Sequence, residues 1–197
     1  MSYTDQESSK VSVKSQEICY QGHLSVSRFT LTHRQFDGEW SREINRELLQ
    51  SHNSVAVMLY DPKMDAVVFV EQFRIGAIED NNPWLLELVA GVVEEGELDH
   101  EVATRETEEE AGLMIRKVET VMTYYTSPGI SSERMTLCYA ECDSREVKEF
   151  GGLEAEDEDI KVHVIPRSIA IEKMKQGDIS NVNTVVGLQW LQLKLGQ

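Results

Sequence analysis

The chain has 197 residues, with 19 basic and 35 acidic side chains, a formal net charge of −16 and 41% hydrophobic residues. Its length accommodates one domain of moderate size with an extension, and its composition is that of a globular chain, which excludes a wholly disordered or collagen-like protein. The acidic balance opposes the phosphate backbone of a long nucleic acid, so a polyanionic partner must be small and must meet local cations or a bound metal.

No apolar run approaches the roughly 20 residues that span a bilayer, and the opening MSYTDQESSKVSVKSQ has no signal-peptide core. A cytoplasmic protein without a membrane partner is expected. Three cysteines, Cys19, Cys138 and Cys142, do not make a disulfide framework. Cys138 and Cys142 share a face if RMTLCYAEC is a strand, and are expected as core thiols rather than metal or redox groups.

Residues 1–15 are polar and expected to lack fixed structure. From EICYQG through HLSVSRFTLTHRQF the pattern favours strands. Leu24 and Val26 have one parity and Phe29 and Leu31 the other, which predicts a bulge or bend. Asp37-Gly38 signals a turn, and SREINRELL fits either a strand or a short helix. SVAVMLYD and AVVFVEQFRI predict a buried hairpin with Pro62 in its turn. PWLLELVAGVVEEGE is an apolar segment ending in glycines and acids. A helix follows, capped by Asp99, filled by His100 to Ala111 and ended by Gly112 in the left-handed conformation. RKVETVMTYYT and RMTLCYAECD read as strands around the turn SPGISSE, and IKVHVIP as a strand after the acidic stretch GGLEAEDED. Two helices close the chain, one over about 168–176 stopped by Gly177 and one carrying Val185, Val186, Leu188, Leu191 and Leu195. The whole predicts a mixed α/β sandwich.

The segment RETEEEAG places Glu106, Glu109 and Glu110 on one helix edge and Glu108 on another face. Like charges at this spacing destabilise an isolated helix by roughly 0.2–0.5 kcal/mol per pair. A solvated acidic face would explain them. So would a binding site for a hard divalent cation such as Mg²⁺. Gly91 and Gly96 permit a tight loop into the helix, so that the Ala90 carbonyl can approach the same cation, and Arg105 can pair with Glu97.

GVVEEGELDHEVATRETEEEAGL, residues 91 to 113, resembles the Nudix box. Gly91, Glu97, Arg105, Glu106, Glu109, Glu110, Gly112 and Leu113 fall in register, while Thr107 stands where the pattern prefers an aliphatic residue. Beyond the box the chain resembles the ADP-ribose pyrophosphatases of that superfamily, through WLLELVAG, EDEDIKVHVI, VVGLQWLQL and the placing of Pro128 in SPGISSER; Ile130 replaces a glycine often found after SPG. The resemblance implies an α/β (α+β) fold of Nudix type, a mixed-sheet α/β/α sandwich with an N-terminal antiparallel β extension. It implies residues 1–50 as that extension, used in homodimerisation, and 51–197 as the hydrolase domain. It makes Ala90, Glu106 and Glu110 metal ligands with Glu109 beside them. On spacing alone Glu154, Glu156, Asp157, Glu158 and Asp159 are equivalent as a general base; the resemblance selects Glu156, with Glu158 as an additional ligand or substitute base. Gly151-Gly152 would let that loop move. Arg46 and Arg74 match substrate-contacting positions, and Glu133 one that recognises the terminal ribose, although each also suits an ordinary surface. Trp84 and Phe73 are expected in the core rather than as adenine platforms, and His100 and His163 carry no chemistry.

The resemblance therefore implies Mg²⁺-dependent hydrolysis of ADP-ribose to AMP and ribose 5-phosphate, with Mn²⁺ as a substitute cation. Hydrolysis of GDP-mannose or another nucleoside diphosphate sugar is the alternative within the same chemistry. A non-catalytic Nudix-fold sensor is the alternative from another class, opposed by the intact acids and the net charge. A calcium-binding acidic module would need an alternating oxygen-ligand loop that this sequence lacks.

Overall fold

The computed structural model describes residues 10–153, 155 and 157–196, which fall into two compact units, 10–52 with 127–133 and 53–126 with 134–196. In the first, β1 (Val11–Gln21), β2 (Ser25–His33) and β3 (Ile44–Gln50) form an antiparallel sheet in that order. The strand β1 thus begins inside the stretch expected to lack structure. It slips twice against β2, between Val13 and Ser15 and between Ile18 and Tyr20, whereas β2 pairs with β3 without interruption. The irregularity read from residues 24–31 therefore belongs to β1, and Leu24 falls in the turn before β2. Ser27 and Phe29 share the buried side of β2; the Ser27 hydroxyl donates to Gln50 Oε1 at 2.7 Å and accepts from Gln16 Nε2 at 3.2 Å. Gly38 turns the chain with φ +90°, and SREINRELL resolves as strand β3. Leu49 ties down residues 127–133: its N–H donates to Ile130 O at 2.8 Å and its carbonyl accepts from Ser132 N at 3.0 Å.

The second unit runs β4 (Ser54–Asp61), β5 (Ala66–Phe73), β6 (Trp84–Glu87), β7 (Val89–Val92), α1 (Asp99–Ala111), β8 (Glu119–Tyr125), β9 (Arg134–Glu141), β10 (Phe150–Gly151), β11 (Ile160–Pro166), α2 (Arg167–Gln176) and α3 (Val182–Lys194). Its sheet has the order β10-β11-β5-β4-β9-β8, with β4 and β9 parallel and the other neighbours antiparallel. The hairpin β4/β5 is paired only at its turn, Leu59–Asp61 against Val68–Ala66. Beyond that point the strands part. β7 takes the outer half of β4, and β6 takes the outer half of β5. Residues 84–92 are thereby wedged into the sheet and carry the entrance of the box beside the helix that follows.

Every residue of β4 is buried, as expected of a strand covered on both faces. Val55, Val57, Val68, Val70 and Cys138 face Val102, Ala103 and Ala111 of α1. Ala56, Met58, Val67, Phe69 and Leu137 face Ala170 of α2 and Leu188 and Leu191 of α3. The two parities of the central strands thus define the layers of an α/β/α sandwich. Cys138 is a core thiol, pushed up to about 11 by burial, and the half-buried Cys142 is pushed up to about 12 for the same reason.

Gly187 lets α3 approach the sheet, since a Cβ there would lie 2.8 Å from Leu88 Cδ1 and 2.9 Å from Met58 Cε. Overpacking of this kind typically destabilises by about 1–3 kcal/mol. Gly187→Val should therefore lower the urea midpoint with an unchanged m-value; an unchanged midpoint would show that the helix shifts freely at this contact.

Candidate active site

Gly112 ends α1 with φ +68°, its N–H donating to Glu108 O at 3.0 Å, as its position in the sequence predicts. The start differs from expectation. Asp99 is the first helical residue rather than the cap, and the residue before it, Leu98, donates its N–H to Glu101 Oε2 at 3.0 Å. Asp99 and Glu101 still place negative charge at the positive end of the helix dipole. Thr107 is fully buried, but its hydroxyl donates to Ala103 O at 2.6 Å, so a polar side chain fits where an aliphatic one is preferred.

Of the four crowded glutamates, Glu108 is exposed, Glu106 and Glu109 are half-buried, and Glu110 is 1% exposed. Arg105 gathers three acids. Its Nε and Nη2 each lie 3.2 Å from Glu97, and its Nη1 lies 2.7 Å from Glu106 Oε1 and 3.2 Å from Glu109 Oε2. Hydrogen bonding to Glu97 is the main reason that the Arg105 pKa is raised, and Arg105 in turn lowers that of Glu97. Glu110 receives the Ala90 N–H at 3.1 Å. Burial pushes Glu110 up to about 8, the Ala90 contact opposing and Glu106 and Glu158 adding to the shift. Burial likewise pushes Glu106 up to about 7 against the pull of Arg105.

Two observations fit this set to a divalent cation. The side-chain donors are hard carboxylate oxygens held largely out of water, which is the chemistry such ions select. A Cβ on Gly91 would lie 1.7 Å from Glu106 Oε1, so only glycine leaves the space that this carboxylate occupies. Among the described residues no three Asp, Glu, His or Cys side chains form a complete metal cage, and Arg105 spans Glu106 and Glu109.

The acidic loop begins against the last turn of α1. A Cβ on Gly151 would lie 1.8 Å from Glu110 O, and Gly152 N donates to Glu109 O at 3.1 Å. Gly152, with φ +89°, is closely packed as well: a Cβ there would lie 2.8 Å from Glu158 Cβ. Glu158 is half-buried and accepts from Leu153 N at 3.1 Å. Glu154 and Glu156 lie outside the described residues.

Arg74 follows β5 and donates from Nε and Nη2 to Glu87 Oε2 at 3.0 and 2.8 Å. Burial works against its charge, but the Glu87 contacts, with Glu110 and Glu158, hold its pKa above the ordinary value. Glu87, 3% exposed, and Gln72, 7% exposed, were not singled out by sequence reasoning. The alternation of β5 puts Gln72 on the face of Val70, which packs against α1, and its Nε2 has no hydrogen-bond partner among the described residues. Arg46 is exposed on β3 and donates to Asn45 O, and Glu133 N donates to Ser131 Oγ; both residues belong to the first unit. Phe73 and Trp84 are not core residues. Each is 45% exposed, and they meet edge to face at 5.6 Å because both lie at the open ends of their strands. His163 Nε2 lies 2.8 Å from Glu71 Oε2.

A sandwich with buried acids on the helix after a glycine-rich entrance defines a class, and comparison with known proteins identifies it. The model of the NUDIX domain family matches residues 50–183, and the chain belongs to that family. It is 43% identical over 191 residues to an ADP-ribose pyrophosphatase of Haemophilus influenzae, covering 95% of this chain and 88% of the relative. It is 40% identical over 184 residues to an ADP-ribose pyrophosphatase of Escherichia coli strain K12, covering 93% and 88%. A GDP-mannose pyrophosphatase of Cronobacter sakazakii is 37% identical over 182 residues, covering 90% and 93%. The crystal structure of an ADP compounds hydrolase superposes with a TM-score of 0.74 at 18% identity, covering 95% of each chain, and shares the fold.

The raised carboxylates predict how metal-free stability depends on pH. Glu106 and Glu110 bind protons more tightly when folded, so their contribution is complete below about pH 4.5 and is lost as pH rises through 7 to 8. Asp61, Asp65 and Glu97 are shifted down, so their contributions are complete above the ordinary carboxylate range. Urea unfolding in EDTA should show that Glu110→Gln gains stability relative to wild type as pH rises from 5 to 8. A constant difference across that range would place Glu110 in water.

Proposed function

We propose that this Nudix hydrolase cleaves the diphosphate of ADP-ribose, giving AMP and ribose 5-phosphate, with Mg²⁺ as its cation and Mn²⁺ as a substitute. The observation that carries the reading is the buried oxygen donor set of Glu106 and Glu110 beside Gly91, in a chain 43% and 40% identical to ADP-ribose pyrophosphatases. The lower identity to the GDP-mannose pyrophosphatase, 37%, makes that substrate the second reading.

Glu106, Glu110 and the Ala90 carbonyl would hold the cation, with Glu109 beside them. When bound, the cation neutralises the diphosphate and polarises the phosphorus that is attacked. Arg105 holds the loop at Glu97 against α1 and bonds Glu106 and Glu109, opposing the upward shift that burial gives Glu106. Water attacks one phosphorus, the anhydride P–O bond breaks, and Glu156 takes the water proton, with Glu158 as substitute base. The docking of Gly151 and Gly152 on α1 supports a base in this loop, since it anchors the loop's first residues beside Glu110. Arg74 and the unpartnered Gln72 amide would meet the substrate from β5, and Arg46 and Glu133 are the further substrate contacts that the resemblance implies. The chain would act as a homodimer through residues 1–50, a role supported by Ile18 and Tyr20, which are 61% and 58% exposed on β1. A cytoplasmic location is consistent with helices that are too short or too polar to cross a membrane among the described residues.

Purified protein with Mg²⁺ should hydrolyse ADP-ribose in preference to GDP-mannose, with products separated by chromatography, and EDTA should stop turnover reversibly. A clear preference for GDP-mannose would overturn the substrate. Glu106→Gln and Glu110→Gln should lose most activity, while Glu108→Gln retains it. Glu156→Gln should reduce turnover roughly 10²–10⁴-fold with ligand binding preserved; near-normal turnover there, with loss in Glu158→Gln, would move the base to Glu158.

A further inference from the structure

The guanidinium of Arg74 is half in water, its side chain 44% exposed, yet it is held along one edge by a carboxylate that is almost completely buried. Glu87 Oε2 accepts from both Nε and Nη2, which fixes the plane of the group, and Nη1 makes no hydrogen bond among the described residues. The other oxygen of the carboxylate is equally committed: Glu87 Oε1 accepts from Asn181 Nδ2 at 2.9 Å.

Asn181 cannot turn its amide round without loss. Its Oδ1 caps α3, accepting from Asn183 N at 2.9 Å and Thr184 N at 3.2 Å, so its Nδ2 is the atom left to face Glu87. Thr184 adds a second tie, its buried hydroxyl accepting from Leu88 N at 3.1 Å. The N-terminus of α3 is thereby fastened to residues 87 and 88, where the wedge passes from β6 to β7. A buried carboxylate is a poor device for stability alone, because a well-packed apolar residue often serves as well or better. It is a good device for orientation, because each oxygen has a defined donor.

We propose that Glu87 and Asn181 are positioning residues that aim Arg74 at a phosphate oxygen of the substrate, the N-cap of α3 serving as the fixed point. The proposal rests on the reading that Arg74 contacts a nucleoside diphosphate sugar, and goes beyond it by naming what sets the direction of the contact. Glu87 and Asn181 touch no substrate themselves.

The hydrogen-bond polarity can be exchanged. In Glu87→Gln, an amide oxygen turned to Arg74 leaves an amide N–H facing the Asn181 N–H, two donors with no acceptor. Asn181→Asp restores an acceptor there while a carboxylate oxygen still caps α3. The double variant therefore regains the chain of contacts with the same total charge as wild type. Wild type, Arg74→Ala, the two single variants and the double variant would be compared by KM and kcat for ADP-ribose with Mg²⁺ and by urea unfolding without substrate. Failure of wild type to hydrolyse ADP-ribose would refute the functional reading, whereas the proposal is decided by the variants within an active wild type. Arg74→Ala should lower kcat/KM roughly ten- to a hundredfold, the effect of a lost charged hydrogen bond. Glu87→Gln should lower it roughly tenfold, mostly through KM, and the double variant should return to within about threefold of wild type. A double variant as impaired as Glu87→Gln, or an Arg74→Ala enzyme with unaltered KM, would overturn the proposal. Should Glu87→Gln not fold, Asn181→Ser keeps a capping oxygen and the ion pair but removes the amide N–H. It should raise KM without lowering the urea midpoint by more than a cap substitution does, and an unchanged KM would overturn the proposal as well.

Discussion

The burial of like charge on one edge of α1 is the constraint around which the second unit is arranged. Glu110 is 1% exposed and Glu106 stands next to it on the same edge, so the helix carries into the interior a pair of groups that repel each other and prefer water. The fold tempers this locally: Arg105 takes up one side of Glu106, and the Ala90 N–H takes up one oxygen of Glu110. Neither contact removes the penalty, which is why both carboxyls keep their protons to much higher pH than usual. A cation bound at these carboxylates would relieve that penalty.

The parting of β4 and β5 makes this arrangement possible. A hairpin paired along its whole length would leave no edge for residues 84–92, and Ala90 and Gly91 would not reach α1. Because pairing stops near Leu59 and Val68, the chain re-enters the sheet twice, through β6 and β7, and the backbone of the second passage supplies both the Ala90 amide and the bare Cα of Gly91. Gly151 repeats the device at the last turn of the helix, where a Cβ would strike the Glu110 carbonyl.

Cations are scarce in a chain of net charge −16, and the two nearest these acids are each shared. Arg105 serves Glu97, Glu106 and Glu109 together, so the loop before α1 and the carboxylates on it are held by one side chain. Arg74 is fastened to Glu87, and through it to the cap of α3, a helix on the opposite layer of the sandwich. One arginine acts within a segment of thirteen residues, 97–109; the other joins elements far apart in the chain. That difference governs what could be read in advance.

The sequence by itself determined the local chemistry. Three residues of spacing place Glu106 and Glu109 on one edge, with Glu110 next to them and Glu108 on another face, because helix geometry is set by the backbone; the left-handed Gly112 ending and the Arg105–Glu97 pair were likewise legible from nearby residues. The near-continuous apolar runs of β4 and β5 likewise announced largely buried strands. Tertiary structure alone decided which acids are buried, that Gly151 lies close against the Glu110 carbonyl, that the bulges lie in β1, and that Phe73 and Trp84 stay at the surface. It alone brought Asn181 to Glu87 across 94 positions of chain. Periodicity and turn chemistry report what a residue does to its own few neighbours, whereas burial and long-range hydrogen bonds depend on which distant segment arrives, and no local pattern carries that information.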